Sequence, residues 1–426
     1  MRLSLSAALP LGMVGVLVCG EAMASGFMVR ENSAEAVSLV YAGNGSRADE
    51  AATVFDNPAG MMRLAGPEVE LGAAVVFPSV HFSGGATIAG VTPLSGTQGG
   101  QAGQITGIPS FYAVFGVNDD IRVGLAVTAP FGNTINYKPD WVGRYVGIKT
   151  LAQSADINPS IAWRLNDRVS IGGGFSAQYL KLENSAAIPQ FLIFKAPVPD
   201  ATFLFNGHSW AYGYNFGVLL QPKDDTRFGL TYRSRVDHRL EGSLDFTGNS
   251  PFLGLANGRA NAGFNVPGTA DASITHDVNP QWSLAADVQY NQWSAFKQVM
   301  IRSANTPITQ VENYRDSWMI SAGAQYHASD VLTLRGGIGW DGTPVTDRYR
   351  AVSVPDADRY MIGIGAGYRL GAATTIDFGY THYFGSQNPT MNNSVNSVDP
   401  LTGAIALRGN YHNALDYVAL SLRYAL

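Results

Sequence analysis

The chain has almost no cysteine: one in 426 residues, Cys19, inside an apolar leader. Disulfide frameworks and thiolate chemistry are therefore closed to the mature protein. Long apolar runs are scarce too. Hydrophobic residues make up 46% of the chain, yet beyond the leader no stretch approaches the ~20 residues of a spanning helix, which excludes a helical membrane protein. Charge of either sign is weak: the net value is -5 and no basic block occurs, so nucleic acid is not an expected partner. The 7 histidines (His81, His208, His238, His276, His327, His382, His412) are scattered without metal-ligand spacing. No GxSxG occurs, and Gly43-Asn44-Gly45-Ser46-Arg47-Ala48 imitates a dinucleotide fingerprint without a βαβ unit around it. No catalytic residue, metal or cofactor is expected, and an enzyme is the rival class these absences disfavour.

What is present begins with an export signal. Arg2 precedes an apolar stretch to Cys19, followed by Ala22-Met23-Ala24, a small-x-small cleavage site. Pro10 and the short length argue against an anchor, and Val18 is too large before Cys19 for lipoprotein processing. Residues 1–24 are read as a signal peptide, and the mature chain is expected to start at Ser25.

From Ser209 to Leu426 every second side chain is apolar over segments of ten to fifteen residues, which is the period of a strand. Val418, Leu420, Leu422, Tyr424 and Leu426 share one face, and Ala419, Ser421, Arg423 and Ala425 the other. Candidate strands are 68–82, 108–118, 120–131, 152–164, 168–182, 209–221, 227–241, 269–278, 281–296, 315–328, 331–342, 359–369, 374–385 and 412–426. This even number suits a single-chain outer membrane barrel. Joints after alternate strands are tight and polar, such as Asn118-Asp119-Asp120, Asn166-Asp167 and Asn279-Pro280. The intervening joints are long, as periplasmic turns and extracellular loops require. The 48 glycines and 19 tyrosines fit the same architecture.

Side-chain direction narrows it further. In 227–241 one face carries Phe228, Leu230, Tyr232, Ser234 and Val236, and the other carries Arg227, Thr231, Arg233, Arg235, Asp237 and Arg239. Arginine facing mid-bilayer lipid costs about 2–4 kcal/mol each, so the arginines are assigned to the lumen. Trp163, Trp210, Trp282, Trp318 and Trp340 take lipid-facing parity near strand ends, as an aromatic girdle does. Trp293 has the wrong parity, which predicts a bulge or a miscounted strand. Residues 25–66 lack the alternation. They carry short helical stretches near 34–40 and 49–55, then Asn57-Pro58, a helix-start signal. The segment is read as a hatch folded into the lumen, with a periplasmic tail as the alternative. The expected fold is all-β: a 14-stranded antiparallel transmembrane β-barrel over 67–426 with a hatch over 25–66.

Six blocks then resemble one family in order: DNPAGM from Asp56, PFG from Pro130 with WVGRY from Trp141, INPSIAWRLNDR from Ile157, GVLLQPKDDTRFGLTYRSRVDHRLEG from Gly217, VNPQWSLAADVQYNQWSAF from Val278, and GYRL with DFGYTHYF near the end. The chain resembles the FadL-type long-chain fatty acid transporters of Gram-negative outer membranes. It departs from them at Leu426, where such barrels more often end in an aromatic residue.

The resemblance implies passive uptake of hydrophobic molecules: capture by extracellular loops, transfer to a pocket beside the hatch, and lateral release near a kinked third strand. The cargo it implies is long-chain fatty acids or similar hydrophobic molecules, with aromatic hydrocarbon uptake or a non-selective porin as the alternatives. Outer membrane lipids and the barrel assembly machinery are the other expected partners, and the family implies a monomer. By match to the family, Phe27, Asn57, Pro58 and Ala59 take the hatch role. Loop 183–208 carries Phe191, Leu192, Ile193, Phe194, Phe203, Leu204 and Phe205, and loop 242–268 carries Phe252, Leu253 and Leu255. Apolar side chains on exposed loops point to a capture groove or to loops packed on each other. Pro159 lies mid-strand without an N–H for the ladder, beside Gly124 and Pro130. That combination predicts an opening between the third and fourth strands, with an inconsequential bulge as the alternative. Arg233 and Arg235 are candidates for holding a carboxylate. Structural ion pairs with Asp271 and Asp277, bracing the wall, are the favoured reading of the same arginines.

Overall fold

In the computed structural model, residues 26–30, 33–88, 90–194, 196–248, 255–304, 307–385, 389–392, 398–399 and 403–426 are described. The leader 1–24 and the groove candidates Phe252 and Leu253 lie outside the described residues.

Fourteen antiparallel strands close into a single barrel. They are β1 (Glu68–Ile88), β2 (Thr106–Gly116), β3 (Ile121–Thr128, then Gly132–Asn136), β4 (Lys149–Asn166), β5 (Val169–Ile188), β6 (Ala201–Lys223), β7 (Thr226–Arg233, then Val236–Phe246), β8 (Gly258–Val266, then Thr269–Asn279), β9 (Trp282–Asn291, then Gln298–Ser303), β10 (Ile308–Val311, then Ser317–His327), β11 (Leu332–Asp341), β12 (Arg359–Leu370), β13 (Thr374–Gly385) and β14 (Gly403–Ala425). Each pairs with its sequence neighbours, and β1 meets β14 from Glu68↔Ala425 to Ile88↔Ile405. Closure satisfies the backbone polar groups that hydrocarbon cannot. Alternation drives the register: Leu420, Leu422 and Tyr424 are exposed, whereas Ser421 between them is buried.

Three expectations need correction. Residues 183–208 and 242–268 are mostly wall, because β5, β6, β7 and β8 continue well above the apolar band. Only a short connection with helix α3 (Gln190–Phe194) joins β5 to β6. Strand 227–241 is also not uniform. Arg227 and Gly229 face inward, but beyond the break at Ser234 and Arg235 the buried residues are Val236, His238 and Leu240. Tyr214↔Ser234 contact and the later pair His208↔Glu241 bracket one extra residue on β7, a bulge that exchanges the two faces. Arg235, Asp237 and Arg239 therefore point out of the barrel. The strand bounds 281–296, finally, are too long: the strand piece ends at Asn291, and Trp293, whose parity predicts a bulge or a miscounted strand, sits in a 3-10 turn, Trp293–Ala295, fully buried.

The N-terminal segment lies within the cylinder. Helix α1 (Ala34–Ser38) starts at Ser33, whose hydroxyl accepts from the Ala36 N–H at 3.0 Å. Helix α2 (Thr53–Asp56) leads into a 3-10 turn, Pro58–Arg63, capped by Asn57, whose Oδ1 accepts from the Ala59 N–H at 3.1 Å. Inward-facing glycines of the wall receive this segment, by its Asn57 side chain at one point and by its backbone at others. A Cβ on Gly217 would sit 2.0 Å from Asn57 Oδ1, one on Gly337 2.2 Å from Leu39 O, and one on Gly379 2.2 Å from Ala34 O. Buried charges tie the segment sideways: Glu35 pairs with Arg335 at 2.6 Å and with Arg47 at 3.0 Å. Asp377 joins Arg335 at 2.7 Å to Arg423 at 2.8 Å. Val40, Tyr41 and Ala48 hold left-handed backbone at φ 52, 66 and 53. Such residues cost about 1–3 kcal/mol each and persist where packing over-determines them.

Candidate functional site

The described chain starts by lining its own interior. Gly26 takes φ 74, and a Cβ there would lie 2.9 Å from the Trp293 ring, so only glycine fits. Its N–H donates to Asp356 Oδ2 at 2.9 Å. The next residue, Phe27, is 2% exposed in a cage of rings: Trp293 at 4.6 Å between centroids, Phe264 at 5.0 Å, Phe296 at 5.2 Å and Phe131 at 6.1 Å. Gly132 N–H donates to Phe27 O, and Val29 N–H to Pro130 O, both at 2.9 Å. Residues 27–29 thus form a short extra strand along the break in β3.

That break is caused by Ala129-Pro130-Phe131, which splits β3 into its two pieces. The ladder from β3 to β4 resumes across it, from Thr128↔Asp156 to Gly132↔Gln153. The expected opening between the third and fourth strands is therefore not there. The unpaired edge lies on the other side, because β2 and β3 pair only up to Phe111↔Val127. Thr106–Ser110 of β2 keep their β1 partners and face the break. Pro159 pairs across from Leu125, and the irregularity it produces falls between β4 and β5, where Asn158 Nδ2 donates to Phe175 O at 2.8 Å. Gly124 acts by size: a Cβ would meet Met61 Sδ at 2.5 Å and Val54 Cγ2 at 2.6 Å. Asn57, Pro58 and Ala59 do not reach this break. Asn57 donates to Val218 O at 3.1 Å, and Ala59 O accepts from Ser170 Oγ at 2.9 Å, which places the motif on β5 and β6.

Three hollows follow one another through the interior. The uppermost holds about 730 Å³ of atom-free space under the extracellular connections and is lined by Tyr145, Phe203, Val299, Ile301, Ile308 and Ile405 among others. It shares Asn184, Val299 and Gln310 with a second, of about 380 Å³, that ends on Phe27, Phe264 and Phe296. Below the Phe27 segment a third, of about 780 Å³, runs from Met28, Pro130 and Phe131 to Arg233, Asp271 and Asp287. The second hollow has one acid in its wall. Glu312 is 2% exposed, accepts from Gln310 Nε2 at 2.8 Å, and burial pushes its carboxyl up to about 8.

The other sequence candidates separate. Phe191 and Leu192 of α3 are half-buried against the upper hydrophobic cluster, and Phe194 is exposed. Phe203 and Phe205, placed in a loop by sequence, point into the barrel from β6. Arg233 lines the lower hollow but is engaged: its guanidinium stacks on Phe55 at 3.8 Å from the ring centre and Nη2 donates to Phe55 O at 2.8 Å. Arg235 is outside the barrel and pairs with Asp237 at 2.9 Å, so it holds nothing in the lumen. Arg227, lower in the same column, makes the expected bracing pair with Asp277 at 2.6 Å. The sequence reading missed Phe264, Trp293, Phe296 and Tyr314. Their one signal was the odd parity of Trp293.

Several known proteins share this architecture. The long-chain fatty acid transport protein of Escherichia coli K12 is 28% identical over 407 residues, covering 87% of this chain and 90% of its own. The 47 kDa outer membrane protein of Pasteurella multocida is 29% identical over 398 residues, covering 87% and 90%. Among solved structures, a Pseudomonas aeruginosa FadL homologue superposes with a TM-score of 0.88 at 23% identity, covering 94% of this chain and 99% of that one. The Pseudomonas putida toluene transporter TodX gives 0.68 at 16% identity, covering 94% and 99%. The family model described as outer membrane protein transport protein (OMPP1/FadL/TodX) matches residues 15–426, and the chain belongs to that family of outer membrane transporters of hydrophobic compounds.

Proposed function

We propose that this barrel takes up long-chain fatty acids or similar hydrophobic molecules passively, with the N-terminal segment as its hatch. The observation that carries the reading is the Phe27 segment: one stretch of chain both separates the upper hollows from the lower one and fills the break in β3. Cargo enters the apolar hollow beneath the extracellular connections and descends to Phe27. Displacing residues 27–29 then joins the hollows and uncovers the unpaired edge of β2, through which an apolar molecule leaves sideways into the bilayer. No energy source is needed, since burial of apolar surface drives each step. The names of the E. coli relatives support a fatty acid.

A deletion strain carrying this chain, grown on oleate and separately on toluene, tests the cargo. Restored growth on oleate alone supports the acid, and restored growth on toluene alone transfers the reading to aromatic hydrocarbons. A steady large ionic conductance in planar bilayers would overturn the ligand-selective channel in favour of an open pore.

A further inference from the structure

The outer face of the wall carries arginines for which transport has no use. Beyond the bulge in β7, Arg239 and Glu241 point outward, as do Arg259 and Asn261 of β8 and Arg302 of β9. The ladder brings them together: Asn261 stands opposite both Glu241 and Arg302, Gly263 opposite Arg239, and Arg259 opposite Ser243. With His208 and Trp210 of β6 they line a shallow, outward-open hollow. Arg235 beside it is engaged by Asp237. Among the described residues, Arg239, Arg259 and Arg302 have no carboxylate within 4.0 Å; two acids share the hollow with them, Asp237, which Arg235 engages, and Glu241, which makes no ion pair. In a chain of net charge -5 this local excess is not a general property of the surface.

Height decides what meets it. On β6 the outward side chains Trp210, Tyr212, Tyr214, Phe216 and Leu220 are all exposed. At ~3.3 Å per residue and a tilt near 40°, that stripe spans about 25–28 Å, the height of the apolar band of a membrane barrel. His208 follows immediately above, in one row with Glu241, Asn261 and Arg302. The hollow therefore opens where hydrocarbon gives way to headgroups. We propose that it binds the phosphates of a phosphorylated glycolipid of the outer leaflet, whose acyl chains lie along the Trp210–Phe216 stripe. Guanidinium groups match phosphate oxygens in pairs, and the adjoining apolar stripe favours a lipid over a soluble anion.

Native mass spectrometry of the mature protein in detergent with EDTA, titrated with a hexaacylated diphosphoryl glucosamine disaccharide, tests this. One bound copy is expected, with apparent affinity at least tenfold weaker in the Arg239→Gln/Arg259→Gln/Arg302→Gln variant and unchanged in Arg348→Gln on an extracellular connection. Glu241→Gln should tighten binding. Heat-modifiable gel mobility confirms that each variant is a folded barrel. Equal binding of the dephosphorylated glycolipid, unchanged affinity of the triple variant, or weaker binding by Glu241→Gln would overturn the proposal. So would full displacement by an equimolar amount of inorganic phosphate, which would make the hollow a simple anion site.

Discussion

Replacing Phe27 by alanine isolates the element on which the transport reading rests. The ring is 2% exposed and has four aromatic neighbours between 4.6 and 6.1 Å. Truncating a buried phenylalanine costs about 3–5 kcal/mol. Besides the ring, residues 26–29 are held by the pairing of Phe27 and Val29 with the β3 break, the Gly26 bond to Asp356 and the burial of Met28 and Val29. The loss falls on local docking of this stretch, because the barrel ladder does not pass through it. At 1.4 kcal/mol per factor of ten, opening becomes roughly a hundred- to several-thousandfold more frequent. Amide hydrogen exchange read by mass spectrometry should show this in the peptide containing Val29, and again at Gly132, whose N–H donates to Phe27 O across the break. Protection in Pro58–Arg63 should be unchanged, since that turn is fixed by Asn57 and Ser170. Uptake by the variant should lose selectivity as the hollows merge. Unchanged exchange at Val29 would refute the reasoning, and so would equal loss at Pro58–Arg63, because the cage would then not be an independent latch.

Glycine substitutions should rank by what the new Cβ meets. Gly172→Val, 2.5 Å from the backbone N of Ala59, should displace the hatch turn, whereas Gly124→Ala, against the flexible Met61 Sδ, should slow oleate uptake only mildly; both should retain heat-modifiable mobility. Glu35→Ala leaves Arg47 and Arg335 short of a buried partner and should loosen hatch docking by about 3–5 kcal/mol, seen as faster trypsin cleavage at Arg47. Glu312 has a folded value raised to about 8 from 4.5, so the stability it contributes is complete below pH 4.5 and lost as pH rises through 8. Exchange in the surrounding extracellular connections, corrected for intrinsic rate, should rise between pH 6 and 9 in the native protein and stay flat in Glu312→Gln.

The spanning half of the wall was legible because hydrocarbon outside and a polar lumen inside impose opposite demands on alternate residues. The two faces of β14 and the outward girdle of Trp163, Trp210, Trp282 and Trp318 follow from that rule alone. The 3-10 turn Pro58–Arg63 was legible from Asn57 and Pro58, whose capping geometry is local. The surface that receives it was not. Gly172, Gly217, Gly337 and Gly379 look like ordinary strand glycines until the segment they admit is in view. Inward-parity glycines recurring at mid-strand are the pattern that would have located it. The Phe27 cage was hidden for a different reason: its rings come from β3, β8, the turn after Asn291 and the chain's start, and no periodicity links them.

The strand extensions failed for a reason contained in the same rule. Above the bilayer the surroundings change from hydrocarbon to water while the interior becomes apolar, so the face that takes apolar residues must change sides. On β6 the sequence shows it as a change of parity: Trp210 to Leu220 are outward at even positions, whereas Phe203 and Phe205 are inward at odd ones. A pattern that breaks in this way resembles a loop, and 183–208 was read as one. On β7 the bulge at Ser234 and Arg235 turns the backbone over at the same level. Even positions then keep most of the apolar residues from Phe228 to Leu244 while passing from lipid to lumen, and the odd-numbered arginines pass from lumen to water. An unbroken alternation thus concealed a reversal, which placed Arg235 beside the cargo path when it belongs to the outer rim. Period two fixes which residues share a face only between bulges, and the medium on each side decides which face the apolar set occupies.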